Sequence, residues 1–271
     1  MSTYAQTIGK EAPAYPDNED TYRVDSQAGV WCVADGAGGT GLYAGQWARY
    51  LVEQVPGEPF GDLSALTDWL DGRWATFFAQ FQPQAATHYL TERKFMDEGS
   101  GATLATLHQR DKTLYWMIYG DAVVLCFNPL TSQLQVAKPG LSQFESAPYL
   151  LNWNSVSQPG GFACGQWTHQ PGNTYALLSD TLGQFVLMAH DALTGYITEL
   201  NRLAQTPTAL GQRATRHRDF WDRTPQPFNQ SVWKQLRDSL ATPDTFAKYT
   251  QHLRSQNLLG TDDYTAVLII P

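Results

Sequence analysis

The chain has 271 residues, 42% of them hydrophobic, and carries 26 Asp and Glu against 18 Lys and Arg for a formal net charge of −8. That length buries a real core, while the acidic balance argues against a general nucleic-acid backbone binder, which would present a basic face. No apolar run approaches the roughly 18 residues that cross a bilayer, and the start "MSTYAQTIGKEAP" lacks a basic segment followed by an apolar core, so neither a membrane span nor export is expected. Cys32, Cys126 and Cys164 stand far apart, two of them inside apolar runs. They read as reduced core residues of a cytoplasmic protein, not as a disulfide set or a zinc knuckle. Nine Trp and 13 Tyr are spread along the chain, which suits core and helix-face rings better than a sugar-binding surface.

"TYRVD" (21–25) and "VWCVAD" (30–35), separated by "SQAG", predict a hairpin. Asp35 then opens a glycine-rich stretch, "DGAGGTG". Such a loop can cradle a phosphate, bring bare backbone close to a ligand, or turn a corner, and it lacks the Lys-Ser/Thr ending of a P-loop. The period next changes to that of a helix over 43–55, through Trp47, Tyr50, Leu51 and Val55, and a second helix is expected over 63–81. Three β-rich runs at 101–109, 113–120 and 122–129 predict an antiparallel meander. Residues 139–173, rich in Pro, Gly and Asn, are expected to form a long flap. "TYALLSD" (174–180) is another strand, helical patterns fill much of 182–205 and 231–255, and "YTAVLII" (264–270) closes as a buried strand. The basic segment 211–230 is expected to be a linker or loop. This order of elements predicts sheets sandwiched between helices, not alternating βαβ units, in one domain over 1–271 held closed by pairing of its first and last strands.

Acidic residues recur where an apolar run meets a turn: Glu19-Asp20, Asp35, Asp180 and Asp262-Asp263, with Asp121 interrupting two strands. Each alone is an ordinary turn residue. Brought to one sheet edge, such carboxylates repel unless they are protonated or share a cation. An all-oxygen set with no histidine pair at ligand spacing favours Mg²⁺ or Mn²⁺ over Zn²⁺.

At these positions the chain resembles bacterial members of the PP2C (PPM) family of metal-dependent protein serine/threonine phosphatases. The family's motifs occur in order: "NED" at 18–20, "DGAGG" at 35–39, "SGATL" at 100–104, "GD" at 120–121, "SD" at 179–180 and "DDYT" at 262–265. The resemblance implies an α+β fold, a four-layer α-β-β-α sandwich of two central, mainly antiparallel sheets. It implies two Mn²⁺ or Mg²⁺ ions and a possible third. Asp35 bridges the pair, Glu19 and the Gly36 carbonyl complete one site, Asp180 and Asp262 the other, Asp121 with Asp180 matches the third, and Asp20 orients water. The implied activity is hydrolysis of phosphoserine or phosphothreonine in a phosphorylated protein, a Ser/Thr kinase or its target, by a monomer. A catalytically weak module that binds a phosphoprotein or kinase is the alternative, and hydrolysis of small phosphates by the same centre is a third.

The chain departs from the family pattern at five places, two of them Ala122-Val123 in G-D-S-R and Thr181 in S-D-G. Tyr15 stands where many members carry the phosphate-holding arginine, Ala37 replaces the eukaryotic histidine, and Asp263 replaces the asparagine of D-N-x-T. None of these removes an implied metal ligand. Arg213, Arg216, His217, Arg218 and Arg223 are candidates to replace the clamp, a solvated basic face being the commoner fate of such a run.

Overall fold

The computed structural model describes residues 1–271 except Pro13, Tyr15, Pro16 and Pro139, and of Thr40 the backbone alone. The chain opens with β1 (Ser2–Ile8), a strand not foreseen from its polar, half-buried sequence. β2 (Asp20–Asp25) and β3 (Val30–Gly41) form the expected hairpin, with Asp20 directly opposite Asp35, but β3 runs on past Asp35 through the glycines read as a loop, Gly36 pairing with Ala102 and Gly41 with Ser100. α1 (Ala44–Gln54) follows as expected. The helix expected over 63–81 is broken in two, α2 (Leu63–Asp71) and α3 (Trp74–Ala85). Gly72 ends the first by donating its N–H to the Asp68 and Leu70 carbonyls, and Arg73 leaves helical geometry. α4 (Tyr89–Glu98) was not expected, because it buries Phe95 alone and so carries no apolar stripe.

The run at 101–109 is two strands, β4 (Ser100–Ala102) and β5 (Leu104–Arg110). The predicted meander is also interrupted after β6 (Thr113–Tyr119): β6 pairs with β5, whereas β7 (Val123–Asn128) pairs with β8 (Gln133–Val136) in the other sheet. The crossing falls at Gly120-Asp121. Gly120 adopts φ +104°, and a Cβ there would meet the Thr103 side chain at 2.7 Å and the Tyr149 carbonyl oxygen at 2.9 Å, so only glycine serves. Within the expected flap, β9 (Leu151–Asn152) is short, but β10 (Phe162–Thr168) pairs with β6 along its whole length. That end of the segment is sheet edge, not flap.

β11 (Thr174–Leu178), α5 (Asp180–Thr194) and α6 (Thr198–Leu203) follow. The basic segment is not a loop: most of it is α7 (Ala209–Arg223). Its charges conceal a helical stripe, Leu210, Ala214, His217 and Trp221, that is buried. α8 (Lys234–Ser239), α9 (Pro243–Ser255) and β12 (Tyr264–Ile270) complete the chain.

One sheet has the order β1-β12-β11-β7-β8, the other β10-β6-β5-β3-β4-β9 with β2 against β3. The last strand pairs antiparallel with β1, Ser2 opposite Ile270 and Ile8 opposite Tyr264, so its partner is β1 and not the strand at 21–25. Alternation along each strand explains the layers. Trp31, Val33, Leu107, Val124, Tyr175 and Val267 fill the space between the sheets. Their neighbours face outward, Val30, Cys32 and Ala34 toward the α1–α4 side, and Val123, Leu125, Phe127 and Leu268 toward the α5–α9 side. The result is the expected α-β-β-α sandwich. Strands buried on both faces read as continuous apolar runs, which is why "VWCVA", "AVVLCF" and "YTAVLII" were legible. Cys32 and Cys126 are buried free thiols and Cys164 is half-buried. Among the described residues, no helix is long and apolar enough to cross a membrane.

Candidate metal centre

The acidic residues gather where strands of both sheets end. The β2–β3 pairing sets Asp20 across from Asp35, and the Asp35 main chain is fixed by Thr103, whose N–H donates to the Asp35 carbonyl at 2.8 Å. Asp121 enters from the crossing between sheets and is 7% exposed. Asp180 is the first residue of α5, where its carboxylate accepts the Thr181 N–H and, at 3.3 Å, the Gln184 amide, a favourable place for an anion. Ser179 ties the end of β11 to β12: its N–H donates to the Thr265 carbonyl at 2.9 Å, and the Thr265 N–H donates to its hydroxyl at 3.0 Å. Asp262, just before β12, accepts the Asp263 N–H at 2.9 Å and lies 3.9 Å from Lys10 Nζ.

Glu19 reaches the same edge through two features. The Gly36 N–H donates to its carbonyl at 3.1 Å, and its carboxylate lies directly against Gly38, where any Cβ would collide with both oxygens. Gly38 is therefore required for close approach. The turn carrying Glu19 is held by Asp263, whose Oδ1 accepts the Lys10 N–H at 2.8 Å and whose Oδ2 accepts the Glu19 N–H at 2.7 Å. This explains the departure from asparagine: two donors converge, and an amide offers a single acceptor oxygen. From sequence Asp263 stands in the Asp262-Asp263 pair without a role, and Lys10 is not singled out. Aspartate in place of asparagine was the one available signal for the first, and a lone lysine in a turn gave none for the second.

Burial dominates the electrostatics. It raises the Asp20 carboxyl to about 8, with Asp180 and Asp263 adding to the rise. Burial, then Asp20, Asp180, Asp262 and Asp121, hold Asp35 well above the usual carboxylate range. Asp121 is raised to about 7 and Asp180 to about 6, by burial and then by Asp180 and Asp262 respectively. Burial also raises Glu19 and Asp262. Lys10 is raised despite its burial, because Asp263, Asp262, Glu19 and Asp35 surround it. The six acidic positions expected from sequence thus feel one another's charge.

Both oxygens of Asp20 and Oδ1 of Asp121 are buried without a hydrogen-bond partner, although Ser179 and Asp35 stand near enough to Asp20 to act on its charge. Unpartnered buried oxygens in an all-carboxylate set suit a hard divalent cation. Among the described residues, no group of three His, Cys, Asp or Glu is placed to hold a metal ion; the donors fit one by chemistry and burial alone.

No family model and no curated protein matches the sequence. The structure does superpose on a solved one, PppA, "a key regulatory component of T6SS in Pseudomonas aeruginosa", with a TM-score of 0.52 and 18% identity over 99% of this chain and 96% of that one. The chain has the PP2C-type fold. Other solved structures with this fold are similar at lower scores. The catalytic domain of the serine/threonine protein phosphatase PstP with two manganese ions gives 0.49 at 16% identity over 98% of this chain and 96% of that one. RsbX with magnesium gives 0.46 at 11% over 98% and 92%. Within the PP2C-type fold of this chain, Tyr15 lies outside the described residues. Of the five cations at 213–223, Arg213 is the one whose charge acts on Asp180 and Asp262. His217 is buried against the Leu258 carbonyl at 2.8 Å and pushed down to about 4 by burial, Arg216 binds the Gln256 carbonyl, and Arg218 pairs with Asp219.

Proposed function

We propose that the whole chain is one metal-dependent phosphatase domain that hydrolyses phosphoserine or phosphothreonine in a protein substrate. The observation that carries this reading is the set of buried oxygens left unpartnered at the carboxylate edge, both of Asp20 and Oδ1 of Asp121, with Asp20 directly opposite Asp35 on paired strands of a PP2C-type sandwich. Glu19, Asp35 and the Gly36 carbonyl would hold one ion, Asp35, Asp180 and Asp262 the second, and Asp121 with Asp180 a third. When bound, Mn²⁺ or Mg²⁺ supplies a Lewis acid for water and for the phosphoryl oxygens.

The protein's own residues do the positioning. Asp20 offers two buried acceptor oxygens beside Asp35 and orients a water there. Asp263 keeps Glu19 in place through its main chain. Gln184 fixes one Asp180 oxygen and the Thr181 N–H the other. Lys10 balances the outer carboxylates at the solvent side, so an arriving phosphate dianion does not meet bare negative charge. A phosphorylated protein as substrate is what the resemblance carried by the acidic motifs implies.

The test is release of phosphate from p-nitrophenyl phosphate and from phosphoserine and phosphothreonine peptides across a series of divalent ions, with wild type and Asp35→Asn. Metal-dependent release that the substitution removes is the expected result. Absence of release with every ion, or equal rates for the two proteins, overturns the reading; tight peptide binding without release would instead mark a binding module.

A further inference from the structure

Two clefts border the carboxylate edge, one beside Glu19 and one beside Asp262, and they differ in charge. The one beside Glu19, about 540 Å³, is mixed: Lys10 and Arg49 stand among Glu11, Asp17, Glu19 and Asp263. The other, about 480 Å³, runs between α7 and the loop leading into β12 and includes Gln212, Arg213, Arg216, Asn257 and Thr261 in its lining. Among the described residues that line it there are two arginines and no carboxylate. In a chain of net charge −8, this is a local reversal of sign.

Both guanidinium groups are braced and mostly unspent. Arg213 Nη2 donates to Gln184 Oε1 at 2.8 Å, and Gln184 in turn holds Asp180, while Arg213 Nε is buried without a partner. Gly260 lets Arg213 lie close, since a Cβ there would stand 3.3 Å from Nη1. Arg216, one turn further along α7, donates its Nε to the Gln256 carbonyl at 2.7 Å and lies over the Phe220 ring at 5.6 Å. A guanidinium carries five N–H donors in a planar fork matched to carboxylate and phosphate, and bracing lowers the entropy lost when an anion docks. The cleft abuts the centre because Thr261 precedes Asp262 in the chain and Arg213 acts on both Asp180 and Asp262.

We propose that this arginine cleft is an anion subsite, receiving an acidic side chain that flanks the phosphoresidue and so selecting acidic protein substrates. The proposal rests on the phosphatase reading for the position of the phosphoresidue, but its own test is binding. The anion is a carboxylate or a second phosphate, which share the chemistry the fork recognises.

The probes are three fluorescent peptides carrying a non-hydrolysable phosphonate in place of phosphothreonine, flanked by alanine, by glutamate or by a second phosphothreonine. Their affinities for the full chain are read by anisotropy with Mn²⁺ present. At least one acidic flank should bind roughly tenfold more tightly than alanine, and in Arg216→Gln and in Arg213→Gln/Arg216→Gln that ratio should fall to within about twofold. Whichever flank gains more identifies the source of the anion. The ratio is internal to each protein, so a general loss of folded material does not alter it. A wild type that does not discriminate, or a ratio that survives both substitutions, overturns the proposal. So does equal weakening of all three peptides together with a raised KM for p-nitrophenyl phosphate, because the arginines would then hold the scissile phosphate. Discrimination without turnover of ordinary phosphopeptides would sink the phosphatase reading and leave the subsite standing.

Discussion

Asp20 and Asp263 are equally buried, each 4% exposed, yet the chain treats them in opposite ways. Asp263 has both oxygens filled by main-chain N–H groups of Lys10 and Glu19. Asp20 has neither oxygen partnered. The outer carboxylate is satisfied by the fold and stiffens the turn it touches. Asp20, and Asp121 at Oδ1, are left with acceptors that the protein does not fill, at a cost in stability that a bound cation would reverse.

Substitution at an inner position should therefore separate activity from stability. Asp20→Asn is expected to lower metal-dependent kcat/KM by roughly a hundredfold or more, while raising Tm measured in chelator above about pH 8, where the buried Asp20 carboxyl is otherwise charged. A fall in both would show that Asp20 is a structural residue like Asp263. The converse applies to the outer carboxylate: Asp263→Ala strands two donors and should cost about 1–3 kcal/mol in denaturant unfolding, with Asp263→Asn intermediate because one acceptor survives. An unchanged midpoint for both would mean that the Lys10–Glu19 turn does not depend on Asp263.

The pH response of the metal-free protein probes the inner set as a group. Asp20, Asp121 and Asp180 sit at about 8, 7 and 6, above the ordinary 3.8. The folded state thus holds protons more tightly than the unfolded chain, and the associated stability is present below about pH 4 and lost as pH rises toward 8. Thermal melts in chelator should give a lower Tm at pH 8 than at pH 6, and Mn²⁺ should narrow the difference; a Tm in chelator that rises over this interval contradicts the arrangement. The smallest effect belongs to Lys10→Ala, which removes a half-exposed pair at 3.9 Å and should change stability by less than about 1 kcal/mol. A larger loss would mean that the outer carboxylates also need charge compensation.

What could be read from sequence follows from how each residue meets the core. Asp35 and Asp180 were legible because each follows a buried apolar run, although β3 continues past Asp35 to Gly41 and Asp180 begins α5. Membership of a sheet was not legible: β6 and β7 are neighbours in sequence and equally apolar, yet Gly120 sends them to different sheets. β1 escaped notice because it is an edge strand of mixed polarity. α7 was hidden by its arginines, although His217, counted there as a cation, is part of the buried stripe. The role of Asp263 depends on two N–H groups distant in sequence that only the closed fold brings to it.

The pairing of Ser2 with Ile270 also sets a schedule. During synthesis the five-stranded sheet has no second-to-edge strand until β12 has left the ribosome, and so many distant contacts made late favour slow folding through partly ordered states. Glu19 and Lys10 wait for Asp263, and Asp262 waits for β12. The carboxylate edge thus assembles only once β12 is in place, and until then it has no means of concentrating its charge.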